Sequence, residues 1–195
     1  MSKSPATRGP GGRPQDRGVD RRILEAAMKL LAEEGFTRMS IEAVAAEAGV
    51  AKTTIYRRFS GKVDLVSAAL NEFLAQMDPV ELGSAREELV VHLQHNRERI
   101  DPAIPGSLLA EEEANPALLE VFRERVIHPR FAMIGETLRR GIERGELRSD
   151  LDTDAATQLL VGAFFAHYLH RGRPDEDWPE RVVDAVWPSL APPGA

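Results

Sequence analysis

Four polar side chains between residues 52 and 57 have the chemistry needed to bind double-stranded DNA. Lys52 and Arg57 can neutralise phosphates or donate to O6 and N7 of guanine. Thr53 can contact a phosphate or a thymine methyl group, and the hydroxyl of Tyr56 can hold a phosphate. Because helical spacing places them on one outer face, they indicate either a helix that reads DNA or an ordinary amphipathic helix with a solvated basic face.

A second short helix and a tight turn must position that face. Apolar residues with the i, i+3, i+4 and i+7 spacing of one helix face occur at Ile41, Val44, Ala45 and Ala48. Ser40 can cap the first turn of this helix, and Gly49 supplies the left-handed residue that commonly ends a helix. Ile55 and Phe59 face it from the following helix. Two short helices joined by a glycine turn make a helix-turn-helix, whose second helix enters the major groove of DNA.

Four blocks of sequence strengthen this interpretation. They read Ile-Leu-Glu-Ala-Ala at 23–27, Glu-Gly-Phe at 34–36, Ala-Gly-Val-Ala-Lys-Thr-Thr-Ile-Tyr-Arg-Arg-Phe at 48–59 and Gly-Lys-Val-Asp-Leu at 61–65. In order and spacing they resemble the N-terminal domain of the tetracycline-repressor (TetR) family of bacterial transcription regulators. The resemblance implies an all-α chain of about nine helices, with a three-helix N-terminal DNA-binding domain and a C-terminal helical domain that binds an effector and dimerises.

The resemblance also assigns DNA contacts. The positions that commonly meet DNA in the family correspond to Ser40, Lys52, Thr53, Thr54, Tyr56, Arg57 and Lys62. Three positions depart from the family pattern. Ala51 stands where a serine often caps the recognition helix, and Gly61 stands where a serine often precedes the lysine of the next helix. Arg58 replaces a frequent histidine or tyrosine, and it is a candidate for contacting phosphate rather than bases.

The charge distribution points to the same end of the chain. Residues 1–62 contain 12 Lys and Arg against 7 Asp and Glu, whereas residues 63–195 contain 13 against 24, within a net charge of −6. A basic block on an acidic chain localises the attraction for DNA to that block. Cysteine is absent, which excludes disulfides and thiolate metal sites. The longest apolar run, 159–166, is too short to span a bilayer, so we expect a cytoplasmic protein without membrane partners.

Periodicity and turn residues divide the chain into three parts. Residues 1–15, rich in Gly, Pro and Arg, predict a disordered basic arm that either follows the DNA or is a plain tail. Residues 16–62 form the helix-turn-helix domain, opened by a helix over 16–34 that Gly35 ends. Residues 63–195 form the effector-binding and dimerisation domain. The predicted helices after the helix-turn-helix cover 62–77, 84–99, 105–114, 116–145 with a kink at Pro129, 153–170 and 178–190.

The C-terminal helices predict an effector cavity. We expect it between the helices over 62–77, 84–99, 116–145 and 153–170, with large apolar side chains that favour a lipophilic or aromatic ligand. The candidate lining residues, which are also ordinary core residue types, are Phe73, Met77, Leu93, Phe122, Val126, Met133, Phe164 and Tyr168. Because the helix over 62–77 would touch both domains, its tilt is the expected route from effector to DNA.

The helix over 153–170 is apolar around most of its circumference, which is typical of a helix buried on several sides. We expect one side to face a second copy of the chain, with a monomeric core as the alternative. Together with the last helix it predicts a four-helix homodimer interface, lined by Leu159, Ala163, Ala166, Val183, Val186, Trp187 and Leu190.

These features favour a repressor that a small lipophilic effector releases from a palindromic operator, with no cofactor. A ligand-independent architectural DNA-binding protein is one alternative, although the C-terminal part is longer than DNA binding requires. A metal-responsive regulator is another, because His92 and His95, like His167 and His170, share a helix face, and Glu111, Glu112 and Glu113 could add carboxylates. Neither pair has a fixed third ligand. Since no catalytic motif occurs, we do not expect an enzyme.

Overall fold

All regular secondary structure in the described part of the computed structural model, residues 17–74 and 80–194, is helical. The first helices are α1 (Arg17–Arg38), α2 (Ile41–Glu47), α3 (Lys52–Tyr56) and α4 (Lys62–Leu74). They are followed by α5 (Ala85–Arg99), α6 (Ala103–Ala110), a long α7 (116–143), α8 (Thr153–Arg171) and α9 (Trp178–Leu190). The predicted all-α fold of about nine helices is confirmed. The arm over 1–15 and Met77 lie outside the described residues, as does the side chain of Phe73.

Most helix boundaries follow the predictions closely. Gly35 interrupts α1 with a φ of 78° and a ψ of 165°, and one further turn leads to Arg38. The clearest shift is α6, predicted at 105–114 and found at Ala103–Ala110. The Asp101 carboxylate accepts a hydrogen bond from the Ala103 N–H at 3.0 Å, which starts this helix early. None of the described helices is both long and apolar enough to cross a membrane.

The long helix α7 changes its geometry just before Pro129. Its segments Pro116–Phe122 and His128–Glu143 are α-helical, and Arg123–Ile127 between them is a π-helical turn. The N–H of His128 donates to the carbonyl of Arg123, five residues earlier. Since proline has no N–H and its ring crowds the preceding turn, the wider turn accommodates it without ending the helix. The irregularity predicted at Pro129 is therefore a π turn.

Two hydrophobic cores hold the helices together, and they do not divide at residue 62. The first core contains apolar residues of α1 to α4, to which α6 adds Ile104 and Leu108 and the first half of α7 adds Phe122. The second core contains α5, the second half of α7, α8 and α9. In packing, α6 and the start of α7 therefore belong with the DNA-binding helices, although they come later in the sequence.

A buried polar network crosses the second core. The Glu88 carboxylate, 1% exposed, accepts hydrogen bonds from the backbone N–H groups of residues 82 and 83 at 3.1 Å and from Arg140 at 2.7 Å. Arg140 also donates to the Thr137 hydroxyl at 3.2 Å, and His92 Nε2 lies 3.0 Å from the same hydroxyl. Burial lowers the pKa of His92 to about 4. The network fixes the segment before α5 against α7 and keeps His92 neutral near pH 7.

Candidate DNA-binding face and effector cavity

The turn between α2 and α3 is a Schellman motif centred on Gly49, whose φ is +65°. Its N–H donates to the Ala46 carbonyl at 3.2 Å, and the N–H of Val50 donates to the Ala45 carbonyl at 2.9 Å. These are the two hydrogen bonds of the motif. A Cβ at Gly49 would meet no atom within 4 Å, so conformation rather than space favours glycine here. The turn fixes the direction in which α3 leaves α2.

The short helix α3 is held firmly on its inner side. Ile55 is fully buried in the first core, and Phe59 packs against that core. The Arg58 guanidinium donates to the Asp20 carboxylate of α1, and to the Thr54 carbonyl at 3.2 Å. Arg58 therefore connects α3 to α1, which corrects its interpretation as a phosphate contact. Because a helix of five residues has little stability of its own, these contacts define its orientation.

The outer side of α3 is open to solvent. Lys52, Thr53 and Arg57 are exposed and Tyr56 is 51% exposed, whereas Thr54 is half-buried. The predicted contact residues on this helix are thus brought together on one short element. As expected, Ala51 makes no side-chain hydrogen bond at its N-terminus.

Glu42 of α2 is a part of this face that sequence reasoning missed. The Lys52 ammonium forms an ion pair with the Glu42 carboxylate and lies 5.4 Å from the centre of the Tyr56 ring. The hydrogen bond between Lys52 and Glu42 lowers the pKa of Glu42 and raises the pKa of Lys52. Both side chains are exposed, so a phosphate can replace Glu42 as the partner of Lys52. Ten residues separate the two across a turn, and no local pattern signals such a pair.

Lys62 and Ser40 have structural roles at the start of two helices. Ser40 caps α2, as predicted, by accepting a hydrogen bond from the Ala43 N–H at 3.0 Å. Lys62 Nζ donates to the carbonyls of Phe36 at 2.6 Å and Met39 at 3.0 Å, and it lies 4.2 Å from the centre of the Phe36 ring. The ammonium group that the family resemblance assigns to a phosphate of DNA thus donates its hydrogen bonds to these carbonyls. Lys62 thus fastens α4 to the α1–α2 corner, defined as residues 36–39.

Helix α6 binds the same α1–α2 corner through contacts that the sequence did not predict. The Ser107 hydroxyl accepts a hydrogen bond from the Phe36 N–H at 2.9 Å. The Thr37 hydroxyl donates to the Glu111 carboxylate, which also accepts from the Asn115 amide at 2.8 Å. These two bonds lower the pKa of Glu111, which is 8% exposed and so does not lie on a solvated face. Both α4 and α6 are therefore attached to the corner that precedes the recognition unit.

An apolar cavity of about 30 Å³ lies where α4, the start of α6, the π turn of α7 and α8 meet. Its apolar lining residues are Leu70, Ile100, Ile104, Pro105, Phe122, Val126, Ile127, Val161 and Phe165. Asp101 and Arg130 add charged groups to the wall. A volume of about 30 Å³ is far below the roughly 300–1,000 Å³ of typical ligand pockets, so a ligand of that kind requires the walls to separate.

The cavity lies closer to α6 than the sequence predicted. Of the expected lining residues in the described part, Phe122 and Val126 are found there. The other four, Leu93, Met133, Phe164 and Tyr168, do not line this cavity, and their contact with an effector stays a prediction. Phe164, for example, is fully buried in the second core with its ring 6.2 Å from that of Trp178. Large apolar side chains suit a core and a cavity equally, so composition alone did not separate the two.

One face of α8 is apolar and exposed. Leu159 is 69% exposed and Leu169 is 87% exposed, and Gly162 and Ala166 are exposed between them at helical spacing. The other expected interface residues that remain partly accessible are Ala163, Val186 and Trp187. The prediction is wrong for Val183 and Leu190, which are buried in the second core of their own chain.

Two of the four histidines considered as metal ligands, His92 and His167, contact side chains of the second core. His92 contacts Thr137 in the buried network, and the His167 ring lies 6.0 Å from the Trp178 ring. Within the described residues, no group of three or more His, Cys, Asp or Glu side chains is arranged to hold a metal ion. Of the three consecutive glutamates, Glu111 binds Thr37 and Glu112 pairs with Arg123.

Comparison with known proteins agrees with this architecture. Residues 23–69 match the family of bacterial regulatory proteins called tetR, and residues 79–186 match the tetracyclin repressor-like C-terminal domain. YdeS, an uncharacterised HTH-type transcriptional regulator of Bacillus subtilis, is 32% identical over 166 residues, which are 83% of each chain. The DNA-binding transcriptional repressor TetR of Mycobacteroides abscessus is 31% identical over 179 residues, covering 89% of this chain and 94% of its own.

A solved structure shows the same fold. The transcriptional regulator FadR from Bacillus subtilis, crystallised in complex with stearoyl-CoA, superimposes with a TM-score of 0.69 at 22% identity. The match covers 86% of this chain and 95% of that chain. A helix-turn-helix with an exposed basic face, a helical C-terminal part and two matching family domains lead to one conclusion. The chain belongs to the TetR family of DNA-binding transcription regulators.

Proposed function

We propose that this protein is a homodimeric repressor that places one α3 helix per subunit in the major groove of a palindromic operator. The observation that carries the proposal is the exposed outer face of α3, mounted through Ile55 and Arg58 on the first core. A rigid mount with a free basic and aromatic face is what sequence-specific readout requires. The proposed contacts are made by Lys52, Thr53, Thr54, Tyr56 and Arg57, with Ser40 at the adjacent phosphate. Such a protein needs neither a cofactor nor a catalytic group.

The effector in this proposal is a small lipophilic molecule that enters the cavity next to α6. The almost wholly apolar wall supports this choice, because a ligand site with such a lining selects for apolar surface. The relative crystallised with stearoyl-CoA supports it too, since that protein has the same fold and holds a lipid derivative.

The route from cavity to DNA runs through two helices. Leu70 of α4 and Ile104 of α6 both line the cavity. On the same two helices, Lys62 of α4 and Ser107 of α6 form hydrogen bonds with the α1–α2 corner. A ligand that separates the cavity walls therefore moves both attachments of this corner, and with it the orientation of the helix-turn-helix. Equal operator affinity of the free and the effector-bound protein would refute this route.

The exposed apolar face of α8 supports the homodimer. Exposure of the Leu159 and Leu169 side chains to water is unfavourable. A second copy of α8 that crosses the first at Gly162 and Ala166 would cover both leucines. Replacing both leucines by glutamate should convert a dimer to a folded monomer in sedimentation equilibrium. An unchanged mass would exclude this face as the interface.

The main experiment measures binding to a DNA segment that footprinting identifies upstream of the gene. Lys52→Ala and Tyr56→Ala should weaken binding strongly, and wild-type affinity should fall steeply with salt. Arg181→Ala, which removes an exposed arginine of α9 that pairs with Asp175 and Asp177, serves as the matched control and should leave binding unchanged. Equal affinity for unrelated DNA would favour the architectural protein instead of an operator-specific repressor.

A further inference from the structure

The cavity lies on the boundary between the two hydrophobic cores. Leu70, Ile104 and Phe122 of its wall belong to the first core. Of the other wall residues, Val161 belongs to the second core and Phe165 packs against that core. A ligand that enlarges the cavity therefore separates two groups of helices instead of expanding one of them.

Helix packing follows the same division. In the described part of the chain, α1 to α4, α6 and residues 116–127 of α7 pack with one another, and we call them the first body. The second body consists of α5, residues 128–143 of α7, α8 and α9. All close pairs of different helices in these ranges lie within one body, and α7 is the one described helix that belongs to both. The first body thus extends beyond the helix-turn-helix and is packed as a unit.

The π turn is the place where α7 passes from the first body to the second. Val126 and Ile127 of this turn also line the cavity. Because Pro129 donates no backbone hydrogen bond to the turn, fewer bonds hold α7 straight here than in a continuous α-helix. The other crossing that lies wholly within the described residues, 100–102, is a short link between α5 and α6. Both connections can bend without opening either core.

We propose that the π turn of α7 is a hinge, and that an effector in the cavity tilts the whole first body about it. This inference rests on the proposed function, because it takes the cavity as the effector site. Since α4 and α6 belong to the first body, Lys62 and Ser107 keep their bonds to the α1–α2 corner during the tilt. In a dimer joined through the second body, the tilt changes the distance between the two α3 helices, which must match the spacing of the operator half-sites.

A large side chain can take the place of the effector in the test. Val161→Trp brings an indole ring to a cavity of about 30 Å³, and separation of the walls relieves the overpacking. Ile104→Trp introduces the same ring from the first body. Leu160→Ala, which weakens the second core without adding volume, is the matched control. Both tryptophan variants should lower operator affinity about 10-fold or more, whereas the control should leave it unchanged.

Distances between spin labels show which parts of the chain move. The protein has no cysteine, so two cysteines placed at exposed positions can be labelled selectively. One pair, Glu33→Cys with Glu180→Cys, joins the two bodies, and the other, Glu33→Cys with Ala117→Cys, lies within the first body. Labelled chains are diluted with unlabelled full-length protein, so that only distances within one chain are measured. In the tryptophan variants the distance between the bodies should shift, and the distance within the first body should stay the same.

Shortening the π turn tests the hinge itself. A π turn contains one residue more than the α-helix it interrupts, so deletion of the exposed Arg125 together with Pro129→Ala should make α7 a continuous α-helix. Arg125→Ala with Pro129→Ala keeps the chain length and is the matched control. Val161→Trp should shift the distance between the bodies in this control. In the shortened chain it should lower the stability and leave that distance unchanged.

Four results would overturn the proposal. The first is a folded tryptophan variant whose bodies keep their distance, and the second is a shift between Glu33 and Ala117, which would mean that α7 stays behind. The third is a tilt that leaves operator affinity unchanged, and the fourth is a shortened chain that tilts like its control. If neither tryptophan variant folds, Val161→Phe is the smaller wedge and is judged by the same distances.

Operator binding of the wild-type protein is measured in parallel. Sequence-specific wild-type binding without a tilt in the variants refutes the hinge alone. Failure of the wild-type protein to bind its operator sequence-specifically refutes the proposed function.

Discussion

Lys62→Met decides between two roles for this lysine. The family resemblance assigns Lys62 to a phosphate of DNA, whereas the structure directs its ammonium at carbonyls of the α1–α2 corner. Methionine keeps most of the aliphatic packing and removes the charge and the donors. The structure therefore predicts a loss of stability, with DNA affinity falling only because the helix-turn-helix is less firmly held.

The magnitude follows from the contacts that are lost. The hydrogen bonds to Phe36 and Met39 are 2.6 and 3.0 Å long, and each partly buried bond is worth about 1 kcal/mol net. The ammonium over the Phe36 ring at 4.2 Å adds about 0.5 kcal/mol. The free energy of unfolding should thus fall by about 2–3 kcal/mol.

Two measurements separate the roles. Urea unfolding followed by circular dichroism gives the change in stability; tryptophan fluorescence would report only on the second core, where both Trp178 and Trp187 lie. Fluorescence anisotropy with operator DNA at several salt concentrations gives the number of phosphates neutralised. A lost phosphate contact lowers the slope of log K against log salt by about 0.9, whereas a structural lysine leaves the slope unchanged.

Lys52→Met is the matched control. Its ammonium is exposed on α3, where it forms an ion pair with Glu42 and lies near the Tyr56 ring. Because both contacts are exposed, stability should stay nearly the same while the slope of log K against log salt falls by about 0.9. The structural interpretation of Lys62 is refuted if Lys62→Met behaves like this control, with unchanged unfolding and a reduced slope.

Three further predictions concern an ion pair of the DNA-binding face, a buried histidine and two glycines. Glu42→Gln removes the ion-pair partner of Lys52 and a negative charge beside the DNA, so operator affinity should rise severalfold at low salt; anisotropy titration that shows equal or weaker binding would contradict this. For His92, the unfolded chain binds a proton near pH 6.5 but the folded chain only near pH 4, so stability is complete above 6.5 and falls by about 3 kcal/mol as the pH drops through that window. Urea unfolding of His92→Gln should lose this pH dependence, and a wild-type slope in the variant would exclude His92 as its source. Gly49→Ala should destabilise by about 1 kcal/mol through its positive φ alone, whereas Gly141→Ala should cost about 2 kcal/mol or more, because its Cβ would lie 2.8 Å from Ala85 and Leu147; thermal unfolding that reverses this order would contradict the packing.

Sequence alone determined the local parts of the DNA-binding unit. Ser40, Gly49 and Ile55 act through their own helix or its nearest neighbour, so helical spacing and the φ preference of glycine were enough to place them. The helices over 84–99, 153–170 and 178–190 were placed for the same reason, since their periodicity and flanking turn residues are local signals.

Only the tertiary structure decided which residue each side chain meets. Arg58 lies in the recognition segment, yet its partner Asp20 is on α1; Glu111 follows α6, yet it holds Thr37. The position of the cavity was likewise decided by the tertiary structure. Every apolar helix face must be covered by another element, and the sequence of a helix does not say which element covers it. Pairings between elements depend on how the whole chain packs, whereas turns and helix faces depend on a few neighbouring residues. The sequence therefore determined that this chain presents a helix to DNA, and the packing determined which contacts hold that helix and connect it to the cavity.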